Sequence, residues 1–162
     1  MVELDAPVER TVIRRVFEAW SVEIPATFAE TFNEDDSYWH AFDDERSVSL
    51  SSIVLSDALG PVSAERILRE LPSLDGEPVG DLPSGLIGRA ATGPAVQPAI
   101  ASQALSGLVA VDGRLLIATV TSDDPEWARR VWLSIRSHAP FGPRHERRMA
   151  TRARSRRRDR GT

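Results

Sequence analysis

Gly107-Leu-Val-Ala-Val-Asp112-Gly113-Arg-Leu-Leu-Ile-Ala-Thr-Val120 is the stretch on which the fold turns. Two turn-forming residues stand between two apolar runs, and Asp-Gly in that place favours the type I′ turn of a β-hairpin. The first strand extends back to Ala99, with Gly107 expected as a bulge or a close backbone approach. The returning strand, Leu115 to Val120, is apolar in both phases, so both of its faces are expected to be covered. An antiparallel pair covered on both sides needs other layers, and the flanking sequence offers them.

On the C-terminal side Asp124 is placed to cap a helix, Pro125 suits its first position, and Glu126 sits at the positive end of its dipole. Trp127, Ala128, Val131, Trp132 and Ile135 then form one apolar stripe that must pack on the sheet. His138 is expected in the last turn of that helix. On the N-terminal side, Ser63 caps a short helix with Ala64, Ile67, Leu68 and Leu71 on one stripe. Ser37–Phe42 and Ser47–Leu55 read as a hairpin joined by Asp43-Asp44-Glu45-Arg46, with a bulge near Ser51-Ser52 where the apolar phase changes. The six prolines and six glycines between Gly60 and Pro98 mark a loop-rich connection holding a short strand near Leu86–Ala91. Val8, Val12, Ile13, Val16, Phe17 and Trp20 follow helical spacing, and we take them as a helix, although the β-branched residues also permit a strand over Thr11–Phe17. Trp20–Ile24 is a short strand stopped by Pro25, and Ala26–Phe32 holds a helical turn or two. The four tryptophans are expected in the core.

Charge divides the chain. Its 162 residues carry a net charge of −4, but Pro140–Thr162 holds nine arginines against Glu146 and Asp159, while the preceding 139 residues are strongly acidic. We therefore read one α+β domain over 1–139 and a disordered arginine-rich tail over 140–162. The sequence has no cysteine and no lysine, which excludes thiolate nucleophiles, cysteine metal sites, Schiff bases and a Walker lysine. No apolar run is long enough for a membrane helix and the N-terminus has no signal-peptide pattern, so the expected location is the cytoplasm, away from membranes.

Chemistry has few places to reside. In Asp35-Asp36-Ser-Tyr-Trp-His40-Ala-Phe-Asp43-Asp44-Glu45, a histidine among carboxylates could act as a general base or as half of a divalent-metal site. A plain hairpin explains the same residues, with one aromatic face inward and acids solvating the turns. His138 and His145 are expected in structural or solvated roles, and His145-Glu146 lacks the second histidine of a zinc-protease helix. There is no Gly-x-Ser-x-Gly elbow, and Ser47, Ser49, Ser51 and Ser52 read as strand positions facing solvent. Gly85, Gly88 and Gly93 lack dinucleotide-loop spacing.

Trp20-Ser-Val-Glu-Ile-Pro25, Tyr38-Trp39 leading into Ser47-Val-Ser-Leu-Ser51, Asp112-Gly-Arg-Leu-Leu-Ile-Ala118 and Trp132-Leu-Ser-Ile-Arg136 together resemble the PsbP-like family over residues 20–137. The resemblance implies an antiparallel sheet with helices packed on it and a role in binding or assembly rather than catalysis. Unlike the lipoproteins of that family, this chain has no lipobox cysteine, and its arginine tail is extra.

The leading functional expectation is thus a non-catalytic soluble binding or adaptor protein whose partner is another protein. Tyr38, His40, Asp43 and Asp44 are its candidate binding residues, with no catalytic residue, metal or cofactor assigned. One alternative is nucleic-acid association through Arg152, Arg154, Arg156, Arg157 and Arg158, because guanidinium forks pair with phosphates. The other is a small metal-assisted hydrolase built on the acidic hairpin around His40.

Overall fold

Thr11, Val12, Ile13 and Val16 are β-branched, and in the folded chain that preference prevails over the helical spacing. The computed structural model describes residues 7–33, 37–71, 77–78, 82–83, 85–96 and 98–138. The arginine tail, with Arg152, Arg154, Arg156, Arg157 and Arg158, lies outside the described residues, as do Asp35 and Asp36.

The first strand, β1 (Thr11–Val16), therefore replaces the expected helix and pairs antiparallel with β2 (Trp20–Pro25). The turn between them passes through Phe17 and Glu18, both with positive φ, a left-handed bend that a helix could not contain. Residues 29–32, expected to be helical, form β3 (Ala29–Phe32), because pairing with β4 (Tyr38–Phe42) satisfies a backbone too short to close helical turns of its own. The expected hairpin is present as β4 with β5 (Ser47–Val54). No bulge interrupts it: β5 keeps one register along its length against its other neighbour, β11 (Arg114–Thr121). The change of phase has another cause, since Val48 and Leu50 serve one face of the sheet while Ile53 serves the other.

Two further strands make a minor hairpin, β6 (Ser56–Asp57) and β7 (Gly60–Pro61). They lead into α1 (Ala64–Glu70), whose cap is Ser63 as expected. The two-residue β8 (Glu77–Pro78) pairs with β9 (Ile87–Pro94), and β10 (Gln103–Val111) starts four residues later than its apolar run suggests. Asp112 and Gly113 turn the chain from β10 into β11, with Gly113 at φ +79°. α2 (Pro125–Leu133) begins on the expected cap: one Asp124 carboxylate oxygen accepts from the N–H groups of Glu126 and Trp127. The helix stops before His138, which instead follows β12 (Arg136–Ser137). Asp124→Ala should lower stability by about 1 kcal/mol in urea unfolding, the usual cost of losing such a cap.

The elements assemble as an α+β fold of antiparallel sheets with helices packed on them. Seven strands in the order β3-β4-β5-β11-β10-β9-β8 form the large sheet, and β1-β2-β12 form a small one. Between the large sheet, the small sheet and α2 lies the main core, holding Trp20, Trp39, Trp127 and Trp132, Val48 and Leu50, and Leu116, Ala118 and Val120. All four tryptophans are buried there. Gly107 is a close approach and not a bulge: its strand holds register on both sides, and the Trp132 ring lies against it. On the opposite, outer face α1 covers Leu108, Ala110 and Leu115. It is too short to cover more. Ile117, expected to be covered, remains 37% exposed.

Candidate functional site

The part of the outer face that α1 leaves bare is the candidate site. Because strand side chains alternate, β4 turns Tyr38, His40 and Phe42 to this face while Trp39 and Ala41 enter the core. Ser49, Ser51 and Ile53 of β5 and Ile117 and Thr119 of β11 continue the surface. Register sets His40 beside Ser49 and Ser49 beside Thr119, while Tyr38 stands beside Ser51 and Ser51 beside Ile117. Between Thr31 on β3 and Arg89 on β9, His40 is the one ionisable imidazole in rows otherwise built from hydroxyl, aromatic and aliphatic groups.

Three rings stand in file along β4. The Tyr38 and His40 centroids are 6.2 Å apart and nearly parallel, and His40 and Phe42 are 5.0 Å apart. His40 thus has a stacked ring on either side. His40 Nδ1 lies 2.8 Å from Ser49 Oγ, and the Tyr38 hydroxyl donates to the same oxygen at 3.0 Å. Burial lowers the His40 pKa from its ordinary value, since the charged imidazolium is the form that loses hydration. The imidazole is accordingly neutral at pH 7.

The two candidate acids of the turn are not brought to this imidazole by any hydrogen bond. Asp43 accepts from the backbone N–H groups of Glu45 and Arg46 and from the Arg46 guanidinium, whose closest nitrogen is at 2.7 Å. Burial raises its pKa, but the bonds from Arg46 and the two backbone donors outweigh this and hold the carboxyl below its usual range. Asp44 is exposed at the tip of the turn. Among the described residues no group of three acids, histidines or cysteines is disposed to hold a metal ion. The sequence pointed to carboxylates around His40, whereas its partner is Ser49, a residue read only as a strand position. The signal was available: a strand pair joined by a four-residue connection sets residue 40 opposite residue 49.

Of the remaining serines of β5, Ser47 and Ser51 share the phase of Ser49, Ser47 buried and Ser51 on the bare surface, while Ser52 turns toward the core and accepts from Trp20 Nε1 at 3.1 Å. His138, outside any helix, pairs through Nε2 with Ser21 Oγ at 2.8 Å and ties the end of β12 to β2. Its role is structural.

No family model and no curated protein matches the chain. Among solved structures, the crystal structure at 1.50 Å of a protein from Bacteroides thetaiotaomicron VPI-5482 is similar, with a TM-score of 0.52 and 10% sequence identity. The likeness covers 80% of this chain and 48% of that one, so the chain spans about half of that protein's length. At this identity the similarity is one of fold.

Proposed function

We propose that the protein is a non-catalytic binding or adaptor protein that receives another protein on the bare outer face of its large sheet. The observation that carries this reading is the surface formed by Tyr38, His40, Phe42, Ile53 and Ile117 with Ser49, Ser51 and Thr119. Tyr38, Ile53 and Ile117 are large apolar groups left exposed on a sheet face without a covering helix, and contiguous exposed apolar groups mark association surfaces. The resemblance to the PsbP-like family, with its binding and assembly roles, points the same way. A cytoplasmic location belongs to this reading. Among the described residues no helix is long and apolar enough to cross a membrane.

Ile117→Arg places a charge at the centre of the face, whereas Ile13→Arg alters an exposed apolar residue on β1. A photo-crosslinking residue at position 53 should trap a discrete partner protein from cells. Ile117→Arg should reduce that capture at least about tenfold, the effect of losing a central contact, and Ile13→Arg should leave it unchanged. Equal capture by both variants would rule the face out.

A second reading rests on the nine arginines from residue 140 onward. Binding of DNA or RNA through them should disappear when residues 140–162 are removed, and should fall steeply between about 50 and 200 mM salt. Equal binding by the full and shortened chains would dismiss it.

A further inference from the structure

Ser49 Oγ stands between two partners that together orient its proton. Tyr38 Oη is 3.0 Å away and donates to it, and His40 Nδ1 is 2.8 Å away. A neutral imidazole has one donor and one acceptor nitrogen, so an imidazole protonated on Nε2 leaves Nδ1 free to accept the serine proton. The chain of bonds then runs from the Tyr38 hydroxyl to the Ser49 hydroxyl to the His40 ring. A hydroxyl within hydrogen-bond reach of an imidazole that can take its proton is the core of an activated serine nucleophile, and here Tyr38 fixes the position of the serine oxygen and the stacked rings fix that of the base.

The surroundings favour that use of the pair. Flanking rings at 6.2 and 5.0 Å fix the imidazole plane, which limits the motion needed to reach a productive geometry. Burial keeps the ring in its unprotonated, basic form at neutral pH. Ser49 sits inside the sheet, paired on one side with β4 and on the other with β11, and the residue is only partly buried. Its oxygen is thus held on a backbone hydrogen-bonded from both sides. Ser51 and Ser106 lie on the same face with no imidazole hydrogen-bonded to them.

We propose that Ser49 is a reactive hydroxyl that accepts an acyl group from activated esters and thioesters, with His40 as its general base. Ser49 Oγ attacks the carbonyl carbon of the donor while its proton passes to His40 Nδ1. The bond from that carbon to the leaving sulfur or oxygen then breaks, and the leaving group takes the proton from His40. The products are an ester on Ser49, a free thiol or alcohol and a neutral imidazole, with no change of oxidation state. This goes beyond the binding role, because it requires only a small acyl donor and no protein partner.

The full chain treated with p-nitrophenyl acetate provides the test, with the acetylated residue located by peptide mass mapping. No lysine amine competes in this chain. Acetylation should occur at Ser49 at least about a hundredfold faster than at Ser51 or Ser106, the scale of general-base assistance. Ser49→Ala should remove it, and His40→Ala should slow it by a similar factor with an unchanged circular dichroism spectrum. His40→Gln serves as the second variant: it keeps a polar group beside Ser49 but supplies no base, and it too should be slow. Acetyl groups spread evenly over Ser49, Ser51 and Ser106 would overturn the assignment. So would undiminished acetylation of Ser49 in a folded His40→Gln protein.

Discussion

Gly107→Ala should destabilise the protein by about 3 kcal/mol or more, a large share of the roughly 5–15 kcal/mol that holds a single domain folded. A Cβ at position 107 would lie 2.1 Å from the carbonyl oxygen of Arg89, 2.8 Å from the Ala90 Cα and 2.9 Å from Trp132 Cζ2. The first two obstacles are backbone of the adjacent strand, and the strand pair cannot separate without losing hydrogen bonds on either side. Gly88 works alongside it, since a Cβ there would lie 2.8 Å from Leu82 Cδ1, 2.9 Å from the Leu108 carbonyl oxygen and 2.9 Å from Trp132 Cη2. The two glycines form a slot on the inner face for the Trp132 indole, whose ring nitrogen is buried with no hydrogen-bond partner. Trp132→Leu should therefore relieve Gly88→Ala in part but not Gly107→Ala, which still meets the Arg89 carbonyl. Urea midpoints of the single and double variants decide the matter, and a Gly107→Ala protein within about 1 kcal/mol of the parent would refute the close-approach account.

Arg46→Ala should cost about 2–3 kcal/mol, the sum of a lost charge-assisted network and two lost ring contacts. The guanidinium reaches Glu9 at 2.6 Å and Asp43 at 2.7 Å, and its central carbon lies 5.3 Å from the Phe28 ring centre and 4.8 Å from that of Trp127. One side chain thereby joins the N-terminal segment, the β4–β5 turn and α2. Hydrogen bonding to Glu9 raises its pKa, followed by the bond and charge of Asp43 against the opposing effect of burial. Lysine at this position should recover less than half of the loss, because an ammonium cannot bridge two carboxylates while lying flat over rings. The pH dependence has a definite sign. Asp43 has a lowered pKa in the folded chain, so its contribution is fully present above the ordinary carboxylate pKa of about 3.9 and is lost as pH falls through the lower folded value. In Arg46→Ala that acid-side loss should flatten, as measured by urea midpoints between about pH 5 and pH 2.5. A variant with unaltered stability and an unaltered acid limb would show the network to be ornamental.

The elements legible in the sequence were those whose local chemistry admits one solution. Asp112-Gly113 between apolar runs is a hairpin, and Asp124-Pro125 ahead of a tryptophan stripe is a capped helix; both are present. Residues 8–20 misled because Val12, Val16 and Trp20 fit a period of four as readily as a period of two. What chose the strand was a partner far along the chain: β2 is held on one side by β1 and on the other by β12. β3 was missed for the same reason, as a four-residue segment with exposed side chains has no period to read. At the candidate site, Tyr38 and His40 were identified and do share the bare face, but of the acids chosen with them Asp43 is bonded to Arg46 and Asp44 is exposed at the turn. Ser49 escaped notice because an ordinary strand serine acquires its meaning only from the residue across the ladder.

The pairing of β2 with β12 bears on biosynthesis. His138 joins Ser21 across 117 positions of sequence. At roughly 5–20 residues per second on the ribosome, the two arrive about 6–23 s apart. Throughout that interval Trp20, Val22 and Ile24 have emerged without the strand and helix that will enclose them. The small sheet can close only after residues 136–138 have left the ribosome.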